Sequence, residues 1–287
     1  MVAHAVRLPR ILIGMTDDAL RATLDAFMES SGRLVVLTGA GISAESGIPT
    51  FRGPEGYWKV GSKNYHPQEL ATASAFGELP REVWRWYLYR RTVCRDADPN
   101  RGHEALVRIE RALGNRFALI TQNVDGLHRR AGSVSPFEIH GNIDRFRCSV
   151  RCTDATYALP DDLPRQTKDA PLDDATYERL RCPDCGAPAR PHVLWFDECY
   201  DEALFRASSA YSHAASSDLL VVAGTSGSTS LPIQIGMNCA QRGVPMIDIN
   251  PEDNPFGELA RSTGVGLELR TAAAAALTTI AGVLAPA

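Results

Sequence analysis

Four cysteines come as two close pairs, Cys148-x3-Cys152 and Cys182-x2-Cys185. Two pairs of thiolates can surround a tetrahedral Zn²⁺, which favours sulfur ligands. Gly186 follows the second pair, and glycine lets the backbone turn beneath a metal. Four protein ligands leave no open coordination position, so one structural ion without a catalytic role is expected. Its binding energy is expected to fold a small insertion that has little core of its own. A redox dithiol is the competing reading, and the second pair argues against it. Cys94, Cys199 and Cys239 are left over and read as core or surface thiols.

A second pattern is Gly39-Ala40-Gly41-Ile42-Ser43-Ala44, directly after the apolar run 33–38. It satisfies the glycine-rich fingerprint of a dinucleotide-binding turn. Gly39 permits the tight turn, Gly41 a close backbone approach to a pyrophosphate, and Ala44 close helix–sheet packing. Alone the signal is weak, because glycines after strands are often only turns. A dehydrogenase would place an acid roughly 20 residues further on. Here 59–64 reads Lys-Val-Gly-Ser-Lys-Asn, with none. The chain instead runs into a Gly/Pro/Ser loop carrying Phe51 and Arg52, which reads as a flap over a ligand.

Polar groups follow three further apolar runs. Gln122, Asn123 and Asp125 come after 116–121, Gly224, Thr225 and Ser226 after 219–223, and Asn250 and Glu252 after 244–249. Ligands of open parallel sheets sit outside the carboxyl ends of strands, where such groups can bond sugar hydroxyls and phosphates. His140 lies between Ile139 and Gly141. A lone His there is more often a buried structural group. Its company of a nucleotide turn and an amide/acid cluster points to general-base work near neutral pH. The other six histidines lack such surroundings and read as structural.

These residues need a scaffold. Apolar runs at 33–38, 116–121, 219–224 and 244–250 alternate with helical patterns at 17–30, 101–113, 202–215, 232–242 and 271–284. The rhythm predicts an α/β fold, a doubly wound, Rossmann-like parallel sheet. Two stretches break it: 54–98, with a helical segment 81–93, and 144–191, with both cysteine pairs. The expected division is 1–53, 99–143 and 192–287 as a dinucleotide-binding domain. The insertions 54–98 and 144–191 together form a smaller, zinc-binding one.

The chain has 287 residues, 44% of them hydrophobic and 22% charged, which excludes a disordered protein. A formal charge of −4 gives no basic balance for nucleic acid, so no direct nucleic-acid binding is expected. No apolar run is long enough to span a membrane. The apolar stretch 11–13 is too short for a secretory signal, so a reducing, cytoplasmic setting is expected. Nothing in the sequence bears on oligomeric state.

Taken together, the motifs 39–52, 121–128, 139–142, both cysteine knuckles, 191–196, 224–226 and Asn250 resemble the sirtuins, NAD-dependent protein deacylases. The likeness is strongest to the class III, desuccinylase-type members and runs unbroken from about 33 to 265. It implies His140 as general base and Asn123 with Asp125 at the nicotinamide ribose and nicotinamide pocket, with Gln122 beside them. It implies Gly39, Ala40, Gly41, Ser43 and Ala44 in the NAD loop. Phe51 would shield the reactive sugar carbon and Arg52 would line the phosphates. Gly224, Thr225, Ser226, Asn250 and Glu252 would hold the adenosine half. Val193, Trp195 and Phe196 would offer a strand edge to an extended acyl-lysine peptide or protein substrate.

The implied reaction breaks the nicotinamide–ribose bond, traps the sugar carbon with the acyl oxygen, and leaves the acyl group on ADP-ribose. Tyr87 and Arg90, i and i+3 on one helix face, suit a carboxylate at the far end of an acyl chain. In the resemblance Ala71 leaves room for that chain, and Arg91 is an alternative partner. Removal of acetyl and of succinyl or malonyl groups is therefore expected. The acids Asp197 and Glu198 and the run Ser226–Ser230 depart from the family pattern. An NAD glycohydrolase or mono-ADP-ribosyltransferase using the same site is the alternative enzyme, and an NAD-sensing module the non-enzymatic one.

Overall fold

The computed structural model describes residues 10–50, 67–168 and 170–286. Among them the strands are β1 (Leu34–Thr38), β2 (Phe117–Thr121), β3 (Phe137–Glu138), β4 (Gly141–Cys148), β5 (Thr156–Ala158), β6 (Ala189–Val193), β7 (Leu219–Ala223), β8 (Met246–Ile249) and β9 (Leu267–Leu269). Six form one sheet in the order β3-β2-β1-β7-β8-β9. Every pairing within it is parallel. The chain winds outward from β1 to β3, then returns to β7 beside β1 and winds the other way. The crevice between the carboxyl ends of β1 and β7 is thus the topological switch point, where such sheets bind ligands.

Alternation of side chains along the strands splits the core between the two faces. Leu34, Val36, Leu119, Val221 and Ile247 face helices Arg10–Glu29, Arg101–Leu113 and Ala273–Leu284. Val35, Leu37, Ile120, Leu220, Val222 and Met246 face Ala207–Ala215, Ser230–Gln241 and Pro255–Ser262. These strands are buried on both sides, which is why they read as unbroken apolar runs.

Helix Arg101–Leu113 shows how local signals serve the site. Asn100 Oδ1 accepts from Gly102 N at 2.9 Å, while His103 Nδ1 accepts from Asn100 N at 3.2 Å, a capping box. Asn100 Nδ2 donates to Ile42 O and Ser46 Oγ, at 2.7 and 2.9 Å, tying the helix start to the glycine-rich turn. The single helix expected over 202–215 is two pieces, Glu202–Phe205 and Ala207–Ala215. Arg206 sits between them in the left-handed region, φ 53°, with its guanidinium 4.1 Å from the Phe137 ring centre.

The second sheet, β5-β4-β6, is antiparallel. It grows from the first, since β4 starts at Gly141, three residues after β3 ends. Gly141 has φ 88°, and a Cβ there would lie 2.1 Å from the His192 carbonyl oxygen. Only glycine fits this junction without strain. Helix Pro80–Asp96 packs on the sheet, and Trp84, Trp86, Leu88, Phe146, Leu159, Leu163, Leu172 and Leu180 form a core of their own. This corrects the expectation of an insertion with little core: the two interruptions of the α/β rhythm share one. Among the described residues no helix is long and apolar enough to cross a membrane.

Candidate active site and metal centre

A cavity of about 650 Å³ opens at the switch point and runs toward helix Pro80–Asp96. The glycine-rich turn forms one wall. Gly39 N donates to Ala223 O at 3.0 Å and Gly41 N to Gly224 O at 2.8 Å. A Cβ on Gly41 would lie 2.6 Å from Gly224 Cα, and Gly224 itself has φ 65°. The glycines are therefore required first by two strand-end turns packing backbone to backbone. Gly39, Ala40, Gly41, Ala44, Gly224, Thr225, Ser226, Asn250 and Glu252 all face the cavity. Thr225 Oγ1 accepts from Gln122 Nε2 at 2.8 Å, and Asn250 Nδ2 donates to Thr225 O at 2.9 Å. The ends of β2, β7 and β8 are thus cross-braced.

His140 stands at the middle of the cavity wall. Its Nδ1 lies 3.0 Å from the Gln122 carbonyl, which can only accept, so Nδ1 carries the hydrogen and Nε2 a lone pair. The Tyr200 hydroxyl donates to that Nε2 at 2.8 Å. Burial pushes the imidazole pKa down to about 4, against a smaller upward pull from the Gln122 carbonyl. At neutral pH His140 is therefore an uncharged base.

Asn123 also lines the cavity, and its Nδ2 donates to Gly39 O and Ser43 Oγ, both at 3.1 Å. Ser43 Oγ donates to Asp125 Oδ2 at 2.8 Å, and Leu127 N to Asp125 Oδ1 at 2.9 Å. Ser43 and Asp125 lie behind Asn123, not on the cavity as bounded by the described residues. Burial raises the Asp125 pKa above the usual carboxylate range. Phe51 and Arg52 fall outside the described residues.

At the other end stand Ala71, Tyr87, Arg90, Val193, Trp195 and Phe196. Trp195 Nε1 donates to Tyr87 Oη at 2.9 Å, so the phenol's own proton is directed elsewhere. Burial pushes the Tyr87 pKa up to about 12, so the phenol stays protonated. The Arg90 guanidinium is buried, 4.8 Å from the Trp86 ring centre and 5.7 Å from that of Tyr87. Arg91 is drawn away: its Nε donates to Asp144 Oδ1 at 2.7 Å. The amides of Leu194 and Phe196 donate to His140 O and Ala71 O, at 2.9 and 3.0 Å.

Three further residues brace the site: Asp197 and Glu198 show in the sequence only as departures from the family pattern, and Tyr200 carries no signal there. Glu198 accepts from Arg190 Nη1 and Nη2 at 2.6 and 2.9 Å, and from Trp195 N at 3.0 Å. Arg190 in turn stacks on Trp195, 3.4 Å from the ring centre, so one ion pair fixes the aromatic floor of the cavity. Asp197 accepts from Ala73 N and Ser74 N, at 2.7 and 3.1 Å, holding the segment that presents Ala71. Tyr200, the third, reaches His140 from the segment after β6. The acidic departure at 197 is a bracing contact.

The sulfurs of Cys148, Cys152, Cys182 and Cys185 lie within 4.8 Å of one another. Cys148 Sγ is 3.6 Å from Cys185 Sγ, and Cys152 Sγ 3.6 Å from Cys182 Sγ. Thiolates about 2.3 Å from a tetrahedral zinc stand about 3.8 Å apart, so the set fits one Zn²⁺. Gly186, φ 72°, turns the second knuckle, with Gly186 N donating to Cys182 O at 2.9 Å. None of the four cysteines lines the cavity.

Comparison with known proteins agrees with this architecture. The family model described as Sir2 family matches residues 39–230. An NAD-dependent protein deacylase of Leptospira interrogans is 43% identical over 224 residues, 78% of this chain and 83% of that one. A solved Sir2 homologue–NAD complex superposes with TM-score 0.71 at 32% identity, covering 99% of this chain and 96% of that one. A Sir2 homologue mutant bound to 2′-O-acetyl ADP ribose gives TM-score 0.73 at 34% identity, covering 92% and 94%. On fold, cysteine cluster and sequence alike, the chain belongs to the Sir2 family.

Proposed function

We propose that this protein is an NAD-dependent protein-lysine deacylase that moves the acyl group to ADP-ribose and releases nicotinamide. The observation that carries the reading is the uncharged His140 in the wall of one cavity that joins the glycine-rich turn to Tyr87 and Arg90. NAD is consumed as a substrate. Gly39, Ala40, Gly41 and Ala44 line its phosphate side, and Gly224, Thr225, Ser226, Asn250 and Glu252 its adenosine side. Gln122 and Asn123 face the nicotinamide ribose, and Ser43 and Asp125 hold Asn123 in place. His140 Nε2 takes the proton of a ribose hydroxyl. An acyl-lysine peptide lies along Val193, Trp195 and Phe196. Because the nearby amides of Leu194 and Phe196 are already engaged, it pairs through its own N–H groups. Zn²⁺ on Cys148, Cys152, Cys182 and Cys185 supplies structure and no chemistry.

The residues 1–53, 99–143 and 192–287 make the NAD-binding domain, and 54–98 with 144–191 the small one. The second sheet and the core it shares with helix Pro80–Asp96 support a small unit, while β4 and β6 run across its boundaries and the core also takes in Ile48, Val124 and Leu127. The thiol zinc site suits the reducing cytoplasm.

The acyl end extends the reading to desuccinylation and demalonylation. A buried guanidinium and a protonated phenol at the end of an apolar channel match a terminal carboxylate. The test is kcat/KM on acetyl-, succinyl- and malonyl-lysine peptides with NAD, for wild type and Arg90→Met. Losing a charge-assisted pair of about 1.5–3 kcal/mol should cost desuccinylation about 10- to 150-fold, with much less effect on deacetylation. Equal loss on both substrates defeats the carboxylate reading. Nicotinamide release that needs no acyl peptide defeats deacylation itself.

A further inference from the structure

We propose that Tyr200 is a positioning residue for the base: its hydroxyl holds the place of the ribose hydroxyl on His140 Nε2 and leaves when NAD binds. The inference rests on the reading of His140 as the base. The geometry is closed at both ends. Nδ1 is committed to the Gln122 carbonyl at 3.0 Å, and Nε2 receives the Tyr200 hydroxyl at 2.8 Å. An imidazole nitrogen has one lone pair in the ring plane, so it accepts one good hydrogen bond. The hydroxyl whose proton His140 takes must bond that same nitrogen. Phenol and ribose therefore compete for one atom, and both cannot be bound.

The phenol is built into this position. Its ring packs against the core beneath Ser230–Gln241, 5.8 Å from the His140 ring centre and tilted by 33°. Its oxygen faces the Thr229 side chain and the Leu231 backbone amide at the start of that helix, and Thr229 Oγ1 also donates to Gln122 Oε1 at 3.0 Å. The Leu231 amide donates to the phenol oxygen, Thr229 spends its one hydroxyl hydrogen on Gln122, and the phenol's own proton goes to His140 Nε2, which carries only a lone pair. In the NAD-free protein the arrangement selects the Nδ1–H tautomer and keeps the lone pair facing the cavity. Tyr200 itself lines the cavity and is half-buried, beside exposed Phe196 and Cys199, so it has a way out. Among the described residues, the other charged groups lining the cavity around His140 are Glu45, Arg90, Glu198, Glu252 and Asp253.

Two measurable effects follow for Tyr200→Phe, which keeps the ring and its packing. First, NAD no longer displaces a hydrogen bond, so KM for NAD falls about 2- to 10-fold. Second, His140 loses a donor that favours its neutral form, so its pKa rises in the free enzyme. The acid limb of kcat/KM, which reports the free enzyme, moves toward neutral pH. The acid limb of kcat, which reports the bound complex where the phenol has already left, stays where it is in wild type. A merely structural tyrosine would move both limbs or neither.

Pre-steady-state binding of ADP-ribose checks the same point without turnover, and thermal melting confirms that the variant is folded. An unchanged or raised KM overturns the proposal, as does a joint shift of both limbs. If the variant unfolds, the ¹⁵N resonance of His140 Nε2 in wild type decides. It should report a donor both before and after ADP-ribose is added while the Tyr200 ring signals move; Tyr200 signals that do not move overturn the proposal. Failure of the base reading is seen separately, as retained turnover when His140 is replaced.

Discussion

In the proposed reaction His140 is the residue on which the chemistry turns, and its protonation is set by two neighbours and by burial. The imidazole stays uncharged well below neutral pH because the protein packed around it replaces much of the water that would solvate a cation. His140→Ala should lower kcat/KM by about 10²- to 10⁴-fold, the range of a lost general base, with zinc content and circular dichroism unchanged. Turnover at the wild-type rate would remove the base role. His140, Asn123, Tyr87 and Arg90 could be read from the sequence because each is a chemically apt residue next to a strand end or on one helix face. Tyr200 could not, and Glu198 showed only as a departure from the family pattern, without its partner. Their partners His140 and Arg190 are 60 and 8 positions away, and the contacts arise from how β4 and β6 pair. Ser43 and Asp125 show what the sequence leaves out: a buried chain of hydrogen bonds runs from Asn123 to Ser43 and from Ser43 to Asp125.

At the scale of elements, the four long apolar strands and the helices between them were legible because burial on both faces leaves a continuous pattern. β3 and β9 have two and three residues, too few to show any period. The break at Arg206 was hidden because a left-handed arginine carries no sequence signature. The metal site shows what elements do together. Cys148 ends β4, and Cys182 with Cys185 precedes β6, so zinc would clamp the far end of the two strands whose near ends meet at Gly141 and Val193 beside His140. The shared core of helix Pro80–Asp96 and this sheet remains when the clamp opens. Chelation should therefore lower Tm and kcat/KM while leaving most far-ultraviolet circular dichroism in place. Added Zn²⁺ should restore both. Complete unfolding on chelation would mean that the metal, and not the core, holds the small sheet. An unchanged Tm would mean that the clamp is idle.

Over the whole molecule, burial of uncharged imidazoles makes stability depend on pH. Burial is the leading cause that holds His103 and His140 at about 4, His192 at about 3 and His128 well below its ordinary value. In the unfolded chain these groups protonate near 6.5. Between about pH 6.5 and 4 the unfolded state therefore binds more protons, and stability is lost as pH falls. Two buried carboxyls act the other way. Asp248 is pushed up to about 6 and Asp125 is raised, both chiefly by burial, so in the fold they hold protons that the unfolded chain releases above about pH 4. Among the described residues the imidazoles outnumber the raised carboxyls, so the unfolded chain takes up more protons in this window. Tm should therefore drop by several degrees or more between pH 7 and pH 5, at about 2–4 °C per kcal/mol for a chain of this size. Thermal melts at pH 7, 6 and 5 check the sign. A flat or rising Tm would show that the buried carboxyls outweigh the imidazoles. The same window leaves His140 neutral in the fold, so activity measured in initial rates should outlast stability as pH falls. Inactivation near pH 5 should then follow time and temperature, not titration of the base.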